Sequence, residues 1–147
     1  MIKLILDDNS IKKGKSGLIT GDIYFETLQG YYPEKNWNDF VMIILSWWAN
    51  SFVDFLQGNQ KEMEFHFMDG PYCAYISKSG ENMLNFQFNR DEVVLCLFKE
   101  SICLYDLYKI LLDNCRKAIE SLSILGIEST NVEGLRKTYE KLKLVTI

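Results

Sequence analysis

The sequence predicts an α+β fold, a mainly antiparallel sheet of about six strands packed with three helices. Three observations lead there. Four short strand-like segments between residues 62 and 98, the first and third clearly alternating apolar and polar side chains, are separated by turn signals, which reads as an antiparallel meander. Two longer segments, Trp37 to Gln57 and Ser101 to Leu125, repeat apolar residues at helical spacing. The strands come mostly in a run and the last two helices in another, which is α+β order rather than α/β alternation.

Along the chain, Ile2 to Asp7 and Leu18 to Thr27 read as strands joined by a basic loop over residues 9–17. In the second strand Ile19, Ile23 and Phe25 share one face, and Gly21 marks a bulge. The helix from Trp37 to Gln57 has Asn36 placed to cap its first turn and Asp39 near the positive end of its dipole. Asp39, Ser46, Asn50, Asp54 and Gln57 form a polar strip. Phe40, Ile44, Trp47, Trp48, Phe52, Phe55 and Leu56 fill a wide apolar arc, and Gly58 ends the helix. Adjacent residues lie about 100° apart on a helix, so one of Trp47 and Trp48 can reach the edge of that arc.

In the meander, Met63, Phe65 and Phe67 alternate with Glu62, Glu64 and His66, and Asp69-Gly70 with Pro71 closes a hairpin. Tyr72 to Lys78 turns at Ser79-Gly80 into Met83 to Asn89. After Arg90-Asp91, Val93 to Phe98 is apolar on both faces and is therefore expected at the centre of the sheet. In the helix from Ser101 to Leu125, Leu104, Leu107, Tyr108, Leu111, Cys115, Ile119 and Leu122 form one stripe, and Gly126 caps it. Thr130-Asn-Val-Glu133 is a capping box opening a short third helix with Leu135, Tyr139 and Leu142.

The length of 147 residues, with 48 % apolar and 24 % charged residues, suits one globular domain over 1–147 with no need of staples. No linker, repeat, signal peptide or membrane-length apolar run is found. Cys73, Cys96, Cys103 and Cys115 form no C-x-x-C pair and sit in apolar periodic segments, where a free cysteine acts as a small hydrophobe. The expectation is a cytoplasmic protein. Its net charge of −4 is uneven, because residues 18–70 hold eight acids against only Lys35 and Lys61. Such a field disfavours nucleic acid and favours a basic partner, although solubility alone accounts for it equally well.

Candidate chemistry is sparse. Gly14-Lys15-Ser16 resembles the end of a phosphate-binding loop, but Asn9 stands where the motif needs glycine, and a strand follows instead of a helix. His66 is the single histidine, and no cysteine or carboxylate spacing accompanies it as a metal set. It reads as a surface residue clustered with Glu62 and Glu64. The three tryptophans read as core rather than as a ligand box. No cofactor, metal or catalytic group is expected.

Two stretches carry a resemblance: Tyr32-Pro33-Glu34-Lys35-Asn36-Trp37-Asn38-Asp39-Phe40 leading to Trp47-Trp48, and Phe65-His66-Phe67-Met68-Asp69-Gly70-Pro71-Tyr72. They are similar to the small immunity proteins of bacterial polymorphic and contact-dependent toxin systems. The resemblance covers roughly residues 18–98. It implies a cytoplasmic, non-enzymatic protein that neutralises a toxin domain by protein–protein contact. From the charge pattern, Asp39, Asp54, Glu62, Glu64, Asp69 and Tyr72 are the expected partner-binding residues, with Trp48 and Tyr31 as further anchors. The competing expectation is a small-molecule-binding or sensor domain with a pocket between sheet and helices.

Overall fold

The computed structural model describes residues 1–58, 60–90 and 95–147. Strands β1 (Ile2–Lys13), β2 (Ile19–Thr27), β3 (Gly30–Tyr32) and β4 (Asn38–Asp39) form one antiparallel sheet, with β1 on one edge of β2 and the two short strands on the other. Helix α1 (Val41–Leu56) leads into a second antiparallel sheet. Its strands β5 (Glu62–His66), β6 (Tyr72–Lys78), β7 (Met83–Arg90) and β8 (Leu95–Cys103) lie in chain order. Helices α2 (Leu104–Ile124) and α3 (Thr130–Lys143) follow. The class and the meander are as the sequence predicts. The single sheet of about six strands is instead two sheets of four.

The two sheets meet through aromatic side chains rather than through a shared ladder. Phe25 of β2 lies 5.6 Å from Trp48 of α1 and 5.8 and 5.5 Å from Phe86 and Phe88 of β7, ring centre to ring centre. Tyr32 of β3 packs at 4.8 Å on Phe88, and its hydroxyl donates to the Asn89 carbonyl. Rings of this size each remove about 150–250 Å² from water, so the two inner faces are held together mainly by aromatic burial. Phe25, Tyr32, Trp48, Phe65, Phe86 and Phe88 are all fully buried.

Four local expectations are corrected. Helix α1 begins at Val41, not Trp37, and Asn36 does not cap it but sits in the left-handed region at φ 62°. The preceding segment is extended because the first sheet takes it: the Trp37 carbonyl accepts the Ile23 amide at 2.7 Å, and Asn38 and Asp39 pair with Asp22 and Gly21. Strand β8 is an edge strand, not a central one, and runs on to Cys103 through residues expected in a helix. Its apolar character on both faces has a local cause. The register slips between Phe98 and Cys96, which leaves Leu97 exposed while Phe98 and Ile102 face the core. Of the expected strand from Val93, residues 93 and 94 lie outside the described residues, as does Asp91 of the expected turn. The cap of α3 falls one residue earlier, at Ser129, whose hydroxyl accepts the Val132 amide.

Gly21 lies opposite an irregularity, as expected, but the extra residues are on β1, between Asp7 and Lys12. A side chain at Gly21 would place its Cβ 3.0 Å from Ile11 and 3.3 Å from Val41. Strand β1 extends to Lys13, well past Asp7, and forms the outer edge of its sheet. Helix α2 covers that edge. The Lys117 ammonium donates to the Leu6 carbonyl at 2.6 Å, and the buried Asn114 amide reaches the Leu4 carbonyl at 3.5 Å. Among the described residues, no helix is long and apolar enough to cross a membrane.

Candidate functional site

Helix α1 and edge strand β5 frame a groove of about 730 Å³ whose lining includes Trp47, Asn50, Asp54, Glu62, Glu64 and His66, together with the cation Lys61. Its geometry follows from one tryptophan pair. Trp48 is fully buried, stacks at 5.3 Å on Phe65 of β5, and donates its indole N–H to the His66 carbonyl at 2.9 Å. That bond fixes helix and strand at one spacing. Trp47, one residue earlier and about 100° round the helix, is thereby turned outward, and it is 49 % exposed.

Strand alternation supplies the other wall. Met63 and Phe65 are buried in the core, so Glu62, Glu64 and His66 all face outward. His66 Nε2 and Glu64 Oε2 are 2.9 Å apart and both are about half exposed, so this pair contributes little to stability, roughly 0–1 kcal/mol. Asp54 and Glu62 have no ion pair among the described residues. The groove therefore presents net negative charge beside a solvent-facing indole.

The expected site residues do not all gather here. Asp54, Glu62 and Glu64 do. Asp39 is buried at 1 % exposure, not on a solvated strip, and accepts hydrogen bonds from the Trp37 indole, the Phe40 amide and the Asp69 amide. It cannot meet a partner. Trp48 is likewise unavailable as an anchor. Asp69 is exposed at the β5–β6 turn, and Tyr72 is half-buried against Trp37 and Tyr32. Tyr31 is 40 % exposed, lies edge-on to Tyr24, and has Lys35 over its ring. Asn50 of the expected polar strip is half-buried and bonds Thr138 of α3 at 3.3 Å.

Sequence reasoning missed a neighbour of His66. The β5–β6 register sets Cys73 directly across from it, and their Sγ and Nε2 atoms are 3.6 Å apart. The ligating atoms of Glu64, His66 and Cys73 all lie within 4.8 Å of one another. Burial, followed by the charge of Glu64, pushes the Cys73 thiol up to about 12. The signal was present in the sequence: with the turn set at Asp69-Gly70, counting back along both strands pairs 66 with 73.

Comparison with known proteins adds no name: no family model, curated protein or solved structure matches this chain.

Proposed function

We propose that this chain is a non-enzymatic binding protein of the immunity type, which neutralises a basic toxin domain by receiving it in the α1–β5 groove. The observation that carries this reading is the groove itself, whose lining joins Asp54, Glu62 and Glu64 with the exposed indole of Trp47. Tryptophan is enriched among residues that dominate binding energy, and surrounding charges speed encounter and select the partner. The resemblance of residues 18–98 to immunity proteins supports the same reading, as does the excess of acids over residues 18–70. The test is binding between this chain and the product of the gene beside its own. A stable complex that Trp47→Ala weakens by about 2 kcal/mol or more, roughly 30-fold, supports the proposal. A complex indifferent to Trp47→Ala and to Glu62→Lys refutes the groove as its seat.

A second reading has one observation of its own. A groove of about 690 Å³ lies between β1, β8 and α2, lined by Ile2, Leu4, Ile102 and Ile110 with Asp106 and Asn114. Lys3, Lys109 and Asp113 also line it, so apolar side chains stand beside charged groups that could orient a polar ligand. Thermal stabilisation by a small ligand, lost when Ile110 is changed to Lys, would favour this reading over toxin binding.

A further inference from the structure

The outer face of the second sheet carries a row of side chains that crosses all four strands: His66 on β5, Cys73 on β6, Asn89 on β7 and Cys96 on β8, each paired with the next by register. Glu64 stands two residues from His66 on the same face. We propose that Glu64, His66 and Cys73 bind a single zinc-class divalent ion. The proposal does not depend on the immunity reading.

Two edges of a tetrahedral centre stand near their required lengths before any ion arrives. Zinc takes thiolate sulfur at about 2.3 Å and imidazole nitrogen at about 2.0–2.1 Å, which sets their mutual separation near 3.5 Å in a tetrahedron. Cys73 Sγ and His66 Nε2 stand at 3.6 Å. The nitrogen–oxygen edge of the same tetrahedron is about 3.3 Å, against 2.9 Å between His66 Nε2 and Glu64 Oε2. Those two edges ask for movements of a few tenths of an ångström; the third, from Cys73 Sγ to the Glu64 carboxylate, lies within 4.8 Å against about 3.5 Å in the tetrahedron, and Glu64, about half exposed, has the freedom to swing in.

One nitrogen of His66 faces both other groups. In the free protein a proton on Nε2 serves the bond to Glu64. In the bound state the ion takes that place, the neutral imidazole carries its one proton on Nδ1 after exchange with solvent, and the Cys73 thiol releases its own proton to solvent. The donor set of one sulfur, one nitrogen and one carboxylate oxygen selects a borderline-soft ion. Magnesium and calcium, which take oxygen ligands, are disfavoured.

A second observation points to the same place. Asn89, the cross-strand neighbour of Cys73, is 1 % exposed, and its amide Nδ2 is the one buried side-chain polar atom without a hydrogen-bond partner among the described residues. Its side-chain carbonyl is already held by Gln87 at 3.1 Å. A buried amide hydrogen left unpaired is destabilising, because it has lost its water partner and gained none. A neighbouring metal-bound thiolate is an acceptor that would satisfy it, in the manner of the supporting hydrogen bonds around metal ligands. With three protein ligands the ion keeps a fourth position for water or for a group supplied from outside.

The test is titration of the full-length, chelator-treated chain with cobalt(II), then displacement by zinc. One equivalent of cobalt is expected to give a thiolate-to-cobalt charge-transfer band and the intense visible absorption of four-coordinate cobalt, both abolished by zinc. Cys73→Ser and His66→Gln should each weaken zinc binding by about 100-fold or more, and Glu64→Gln by about 10-fold. The double variant Cys96→Ser, Cys103→Ser should bind like the parent. His66 is half exposed, so His66→Gln decides the matter even if Cys73→Ser fails to fold. Absence of the charge-transfer band overturns the proposal, as does a band that survives His66→Gln.

Discussion

The carboxylate of Asp39 accepts the backbone amide of Asp69 at 3.2 Å, tying the segment before α1 to the β5–β6 turn across 30 residues of chain. The same carboxylate holds the Trp37 indole at 3.0 Å and the Phe40 amide at 2.7 Å. Asp39→Ala would strand three donors at a buried position, at an expected cost of about 2–4 kcal/mol. Urea denaturation should show the loss as a lower midpoint with an unchanged slope. A loss under about 0.5 kcal/mol would mean that water replaces the carboxylate there.

Charge reversal in the groove should act on binding, not folding. Asp54→Lys with Glu62→Lys is expected to slow association with a basic partner at low salt, and the difference should fade as salt rises, since exposed charges are screened beyond about 8–10 Å. The unfolding midpoint of the free protein should hardly move, because surface changes of this kind cost about 0.5 kcal/mol or less. Stopped-flow association at two ionic strengths, beside a thermal melt, checks both halves. A reversal at Asp39 would confuse them, because that residue is structural.

Asp39 also marks the limit of what the sequence makes legible. On a helical wheel it falls among polar residues, and nothing local distinguishes a solvated aspartate from one whose donors arrive from residue 69. The chain punctuation was readable, because glycine at a left-handed position and Asp-Gly turns act locally: Gly58, Gly70 and Gly126 all have positive φ. The choice between one sheet and two was not, since it depends on Phe25 meeting Phe86 and Phe88 rather than on any strand's own pattern. At the candidate site, alternation is enough to show that Glu62 and Glu64 face outward from β5. The outward turn of Trp47 required knowing that Trp48 donates to His66.

The cover over β1 can be tested at Lys117. Its ammonium donates to the Leu6 carbonyl from a half-buried position, and charged hydrogen bonds contribute about 1.5–3 kcal/mol. Lys117→Met keeps the apolar stem and should lower stability by about 1–2 kcal/mol. Lys109→Met, on an exposed position of the same helix, should change it little. Equal effects of the two variants would show that the Leu6 bond contributes nothing special.

Stability should decline in alkali. Burial pushes the Cys115 thiol from 9.0 up to about 12, and burial likewise raises the Tyr32 hydroxyl above its ordinary value. Both groups are raised in the fold, so the unfolded chain releases these protons first. Their contribution is complete below about pH 9 and is lost as pH climbs towards the folded values, each group adding a slope of up to about 1.4 kcal/mol per pH unit. Denaturation midpoints between pH 8 and pH 11 should therefore fall, and Cys115→Ala should flatten part of that fall. A slope unchanged by Cys115→Ala would assign the decline to other groups.

The bond from the Tyr32 hydroxyl to the Asn89 carbonyl spans 57 residues, and that separation sets a timetable during synthesis. At about 5–20 residues per second, roughly 3–11 s pass between the making of Tyr32 and the making of its acceptor. Through that interval the β1–β2 hairpin emerges with Ile23 and Phe25 turned to one side and no β7 to receive them. The nascent chain is thus most prone to stick to its neighbours while its first half is already made and its meander is not.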